Sequence, residues 1–408
     1  MKRGCEGGFA LVLTLSLLAL AVVVAVAIAM TARVSSRMAA TAELQTQARQ
    51  NALLGLGVAL DQLQTTAGPD DRITAMAGVT GELPQSSFRH WCGVWQAGTV
   101  APEAWLVSAA VNGATPQLSG ERIIIVGTNT VGNPADRTDQ ELVEVGLVEL
   151  PETERGGRGR FAYWVGDEGV KVSAVVRGGE AQVAGASGAE LRANVKRLVS
   201  GSFSAQSAAA AKVESFEQLK QAATGVSLTA SFHALTHRSV ALPATAAWAT
   251  PSPNGRVVGA FNVNTTSEAA WRAWLEYPDH SNAVFGQTAN RTLSGARRIR
   301  DLFAQRGRPF GTVEELEASG LIQAAFDSAS PKITTITAEE FFRELRPVLT
   351  TRSDTFRVRA YGEAMSQIGR RAVAYCEARV QRTAEIVDGT SGRRFVVTDF
   401  RWLLPEDV

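Results

Sequence analysis

The feature that most constrains this chain is an uncharged run from Phe9 to Met30, in which Thr14 and Ser16 are the only polar side chains. As a helix rising 1.5 Å per residue it spans about 33 Å, enough for the hydrocarbon core of a bilayer. The hydrophobic region of an export signal is shorter, about 7–15 residues, and ends in a small-residue cleavage site. Here the helical pattern continues through Arg33, so 9–30 reads as a single transmembrane segment. Lys2 and Arg3 ahead of it place the N-terminus in the cytoplasm. The helix does not stop at the membrane face. Residues 35–64 lack proline and are rich in Ala, Gln, Leu and Arg. Leu53, Leu56, Leu60 and Leu63 recur at three- and four-residue spacing, which predicts one apolar face. The stop signal comes only at Ala67-Gly68-Pro69-Asp70. One helix is therefore expected over 9–66, lipid-compatible in its first half and amphipathic in its second.

Beyond Pro69 the pattern changes to that of a folded domain. The chain has 408 residues, 45% hydrophobic and 20% charged, which suits a globular body. Trp105 to Val111, Glu121 to Gly127 and Glu141 to Leu150 are short, β-branched and bounded by turn residues, so they read as strands. Arg160 to Val176 reads as a hairpin turning at Gly166-Asp167-Glu168-Gly169, with Val170, Val172 and Ala174 on one side. A loop is predicted over Gly178 to Gly188, helices over Ala189 to Leu198 and Ala205 to Ala223, and an exposed connection over Leu242 to Gly255. A compact helical unit follows. It opens with Phe261-Asn262-Val263-Asn264, with Asn264 or Thr265 as N-cap and Trp271, Trp274 and Leu275 on one face. Arg291 to Ile322 reads as helix, turn, then a helix capped by Thr312 and Glu315. Ala338 to Leu345 is a further short helix. Thr355 to Ala364, Arg370 to Thr383 and a segment from Arg393 alternate as strands, with Gly369 closing the first loop. Ala372, Ala374, Cys376, Ala378 and Val380 should share a face. The fold class expected is α+β: a long N-terminal helix, an antiparallel sheet and a helical insertion.

The leader Met1 to Gly8, with Gly7-Gly8-Phe9 running into a long apolar helix, resembles the signal of type IV prepilins and pseudopilins. The resemblance implies that a prepilin peptidase cuts between Gly8 and Phe9 and methylates Phe9. That cut would remove Lys2, Arg3, Cys5 and Glu6 and leave basic and acidic residues equal in number. Most major pilins carry Glu at the fifth mature position; here it is Leu13. The ordered series FNVNTTSEAAW, GRPFGTVEELEASGLI and SDTFRVRAYGEA resembles the large minor pseudopilin of type II secretion, general secretion pathway protein K. That family implies a pilin-like sheet interrupted by a SAM-like helical region. The segments ARQNALLGLGVALDQLQTTAGPD and YWVGDEGVKVSA also resemble the Verru_Chthon cassette protein A group of pilin-like proteins. The division implied is a leader 1–8, a helix 9–66, a mixed periplasmic region 67–260, a helical region 261–347 and C-terminal strands 348–408. The secretion family binds calcium through acidic loop residues, so the resemblance implies calcium as a possible ligand here; those acids are not placed on positions of this sequence, and no metal is assigned.

Signatures of catalysis are absent from the sequence. His233 and His237 are four apart and would share a helical face, but no Glu follows the first as a zinc protease requires. No Gly-x-Ser-x-Gly and no glycine-rich phosphate loop appears. Asp167 and Glu168 read as a solvated turn, and His280 as a loop residue. Arg297, Arg298, Arg300, Arg306 and Arg308 cluster near a helix-hairpin-helix-like unit, but a net charge of +1 argues against nucleic-acid binding. Cys92 and Cys376 would face an oxidising compartment, as a disulfide or as separate buried thiols. The function expected is a non-enzymatic minor pilin or pseudopilin subunit without a cofactor. Its partners would be other pilin-like subunits, the prepilin peptidase and the inner membrane. The alternative is an inner-membrane-anchored periplasmic adaptor that never polymerises.

Overall fold

The computed structural model describes residues 6–81, 83–132, 141–152, 157–173, 231–237, 239–242, 257–276 and 289–408. The leader residues Lys2, Arg3 and Cys5 lie outside these, as do His280, the predicted loop at 178–188, both helices predicted between 189 and 223, and most of the connection at 242–255.

The chain begins with helix α1, Glu6–Ala67, unbroken over 62 residues. Nothing in its sequence can stop it before Gly68-Pro69, and that is where it ends. There follow β1 (Arg72–Met76), β2 (Cys92–Gln96), β3 (Ala104–Trp105), β4 (Arg122–Val126), α2 (Thr128–Val131), β5 (Val143–Gly146), β6 (Val148–Glu149), β7 (Arg158–Asp167), β8 (Val172–Ser173), β9 (Leu235–Thr236), β10 (Val240–Ala241), β11 (Val257–Val258) and β12 (Phe261–Asn262). The helical unit comprises α3 (Glu268–Leu275), α4 (Ala289–Arg306), α5 (Val313–Ala318), α6 (Leu321–Ser328) and α7 (Ala338–Leu345). The chain closes with β13 (Leu349–Thr350), β14 (Thr355–Met365), β15 (Arg371–Asp388) and β16 (Gly392–Leu403). The fold is α+β, as expected.

The central sheet has the order β16-β15-β14-β7-β6 and is antiparallel throughout. Its middle strand β14 is buried on both faces over Thr355–Ala364. Phe356, Val358, Ala360 and Ala364 alternate toward α1, alongside Ala374, Cys376, Ala378 and Val380 of β15, which share the face their spacing predicts. The opposite face carries Tyr361 and Trp164 into a second core with β4, β5 and the helical unit. The helical unit is entered and left at one place, a separate two-stranded sheet. β12 pairs in parallel with β13, Phe261 opposite Leu349 and Asn262 opposite Thr350. Buried Asn264 then clamps Phe310, accepting from its N–H at 2.8 Å and donating to its carbonyl at 3.0 Å.

Several local expectations are corrected. β7 does not form a hairpin with the strand that follows it. It pairs with β14, Phe356 opposite Asp167, while β8 pairs in parallel with β9. The turn is not solvated either: Asp167 and Glu168 are both buried. Glu168 is held by Lys171 at 2.5 Å, Arg357 at 3.2 Å and the Thr236 hydroxyl at 2.5 Å. Asp167 accepts from the Thr74 hydroxyl and the Gly169 N–H. The segment 141–150 is two strands separated by Leu147, and the strand at Trp105 is two residues long. The N-cap of α3 is Ser267, because the side chains of Asn264 and Thr265 are taken by Phe310, Thr351 and Ser267. The Thr312 hydroxyl caps α5 by accepting from the Glu315 N–H, but the reciprocal half of the predicted capping box is not made, because the Glu315 carboxylate accepts from the Gly311 N–H instead; left-handed Gly320 divides that helix from α6. Gly369 does close the β14–β15 loop, with φ +77°.

Candidate membrane and assembly helix

Residues 11–39 of α1 are exposed along their whole length. From Phe9 to Glu43 the helix extends roughly 50 Å. Among the described residues it is the one helix long and apolar enough to cross a membrane. Its few hydroxyls suit lipid. Thr14 donates to the Leu11 carbonyl, Ser16 to Val12, and Thr31 to Ile28, so each is satisfied inside the helix. Leu13 is 51% exposed, and no acid occurs on the helix between Glu6 and Glu43. The helical backbone passes through Gly7, Gly8 and Phe9 without interruption.

The second half is bolted to the sheet. Its buried face is Ala48, Ala52, Gly55, Leu56, Ala59, Leu63 and Ala67, a seam mostly of small residues. The leucine stripe predicted from spacing is only partly right, since Leu53 is 44% exposed and Leu60 half-buried. Small residues win because the helix must approach closely. A β-carbon on Gly362 would lie 2.1 Å from the Ala48 carbonyl oxygen and 2.2 Å from the Ala52 nitrogen. Four amides pin the helix along its length. Gln45 donates to the Val373 carbonyl at 3.1 Å, Asn51 to Glu363 at 2.7 Å, Gln62 to Trp105 at 3.2 Å and Gln64 to Ser391 at 2.7 Å. Gln62 also accepts from the Tyr163 hydroxyl, and Gln64 from the Phe395 N–H. The sequence marks these residues only as helix formers. Nothing local separates a glutamine that faces water from one that faces strand carbonyls.

The end of α1 is locked by charge. The Gly68 carbonyl accepts from the Arg393 N–H at 2.9 Å and from the fully buried Arg382 guanidinium. Asp70 receives Arg382 at 2.6 Å and Arg393 at 2.7 Å, with Arg352 at 3.5 Å. Burial alone would raise the Asp70 pKa. Hydrogen bonds from Arg393 and Arg382, with the charges of Arg382 and Arg352, outweigh it and bring the pKa from 3.8 to about 2. The folded form therefore binds fewer protons than the unfolded chain between pH about 4 and 2. This contribution to stability is complete above about pH 4 and is lost as pH falls through about 2. Thermal melts across that range should show a steeper acid limb for the parent chain than for Asp70→Asn; equal slopes would remove Asp70 from this role.

The other residues singled out by sequence scatter. His233 and His237 do not share a helix. His233 sits in a turn before β9, its ring stacked on His90 at 3.5 Å, while His237 contacts Arg379. Burial pushes the His233 pKa well down. Cys92 and Cys376 are free, buried thiols in the core beneath α1, and burial raises both pKa values. The arginine cluster turns inward on its own chain. Arg297 and Arg300 pair with Glu268, Arg306 and Arg308 with Glu315, and Arg298 donates to the Ser328 carbonyl.

No protein-family model and no curated protein sequence matches this chain. Among solved structures it matches a chain of the GspK-GspI-GspJ complex from the enterotoxigenic Escherichia coli type 2 secretion system. The match has 13% identity and a TM-score of 0.31, and covers 64% of this chain and 84% of the other. A likeness of this size carries no inference about function.

Proposed function

We propose that the chain is a minor pilin-like or pseudopilin subunit of a type II secretion or type IV pilus-like system, held first in the inner membrane and then built into a filament. The observation that carries this reading is the unbroken α1: a bare apolar rod that becomes, without a hinge, the spine of an antiparallel sheet. A tether needs only a span and a linker, so rigidity through 31–47 is superfluous for an adaptor that never assembles. For a filament subunit it is the working part. The apolar surface that lipid covers would be covered by neighbouring helices, with Ala19, Ala21, Ala25, Ala27 and Ala29 allowing close approach.

In this reading the peptidase removes 1–8 and methylates Phe9, and the body after Ala67 faces the periplasm. Leu13 in place of an acid, together with the size of the body, favours a place at the filament tip. The reading is non-enzymatic: buried Glu168 and Glu377 are each neutralised by arginine, Glu377 by Arg359 at 2.7 Å and Arg401 at 2.8 Å, which ties up their acid–base capacity. Intact-mass analysis of the chain purified from its native membrane is expected to find a methylated N-terminal Phe9. Mature protein that retains Met1 to Gly8, in cells whose other prepilins are processed, would overturn the proposal.

A further inference from the structure

The calcium implied by the family resemblance needs about six to eight oxygen ligands. Among the described residues, the group of metal-ligating side chains that converges is of another kind: His90, Glu141 and His233, with one donor atom from each lying within 4.8 Å of the others. Two imidazoles and one carboxylate suit a borderline transition metal and not calcium.

We propose that His90, Glu141 and His233 form a binding site for a single zinc-class divalent ion, which staples together three segments far apart in sequence. His90 lies just before β2, Glu141 just before β5, and His233 in the turn before β9. Both histidines are more than nine-tenths buried, and Glu141 is half-buried at the rim. The His90 Nε2 is 3.9 Å from the Glu141 carboxylate. The His233 Nε2–H donates to the Glu141 main-chain carbonyl at 2.7 Å, because a carbonyl can only accept. That bond leaves the lone pair on Nδ1. One ring nitrogen bonded to a carbonyl and the other carrying a lone pair is the usual arrangement of a metal-ligating histidine. Ligand atoms around tetrahedral zinc sit about 2.0–2.2 Å from the ion, so the donors must contract by about an ångström. The two rings, parallel to within 3°, must also rotate out of their stack to aim at one point. Glu141 supplies negative charge to offset Lys171 and Arg359, whose charges act on His233. Water completes the coordination.

The site does not depend on the assembly reading, and its test uses the untagged full chain in detergent. Zinc titrated by calorimetry is expected to bind one equivalent and to raise the melting temperature, while calcium does neither. Cobalt should give the visible absorption of a tetrahedral nitrogen–oxygen site. Glu141→Gln, which keeps the shape at a half-exposed position, should weaken zinc binding by more than about tenfold. His90→Ala should abolish the cobalt spectrum. Tryptophan fluorescence melts of the metal-free variants establish that both remain folded. Failure of zinc to bind the parent chain, or binding that Glu141→Gln leaves unchanged, overturns the proposal.

Discussion

Gly362→Ala is expected to destabilise the folded body by about 3 kcal/mol or more, although it adds a single methyl group. Glycine in a strand interior is ordinarily a liability, and alanine there reduces the entropy of the unfolded chain. The sign reverses at Gly362 because the new carbon would stand 2.1 Å from the Ala48 carbonyl oxygen and 2.2 Å from the Ala52 nitrogen. Both are backbone atoms of α1 and cannot rotate aside. The helix must lift from β14, opening the seam at Ala48, Ala52 and Leu56 and breaking the bond from Asn51 to the Glu363 carbonyl, which is 2.7 Å long. The sequence places no tryptophan between residues 9 and 67, so intrinsic fluorescence reports on the body alone. Its melting midpoint should fall by roughly 5–10 °C. Gly57→Ala is the internal control. Gly57 lies on the exposed face of the same helix, with nothing within 4 Å of an added carbon, and should gain about 1 kcal/mol of helix propensity. If Gly362→Ala melted at or above the parent temperature, the close approach of α1 to β14 would be wrong.

The same contrast separates what is legible in the sequence from what is not. α1 is legible because its signals are local: a long run without proline, then Gly68-Pro69. The alternation of β14 and β15, the buried face of Trp271, Trp274 and Leu275, and the Thr312 cap are legible for the same reason. The seam is legible only in part, because leucine spacing reports where apolar bulk recurs, whereas a helix lying against a glycine selects for alanine. Partner choice is not legible. β7 and β14 are far apart in sequence, and nothing in RFAYWVGDEGVKVS says that the strand after the turn will turn away. The buried charges are hidden likewise. Asp167-Glu168 looks like a turn tip until Arg357, remote in sequence, arrives on the inner face of β14. His90 and His233 meet only through the fold, so the helical His233–His237 spacing points to the wrong pair.

Ser35→Pro is expected to abolish assembly while leaving membrane insertion and the folded body intact. Proline removes the hydrogen bond from residue 35 to the Thr31 carbonyl, and its ring collides with that carbonyl. The cost is about 3 kcal/mol, relieved by a kink. The apolar span 9–30 ends before this point, and the first fully buried residue of α1, Ala48, comes after it. Residues 11–39 are exposed along their whole length, so tryptophan fluorescence should melt as in the parent. A subunit whose rod packs along neighbouring helices cannot tolerate the bend, because contacts on either side of residue 35 then fall out of line. Co-isolation of the chain with other leader-bearing subunits from native membranes should be lost in Ser35→Pro and kept in Ser35→Ala, at equal abundance and equal leader processing. A tethered adaptor makes the opposite demand: bending its stalk leaves the body just as anchored and free to bind. Full complementation by Ser35→Pro would therefore leave a membrane-anchored domain and remove the filament, while selective loss ties function to the straightness of the rod itself.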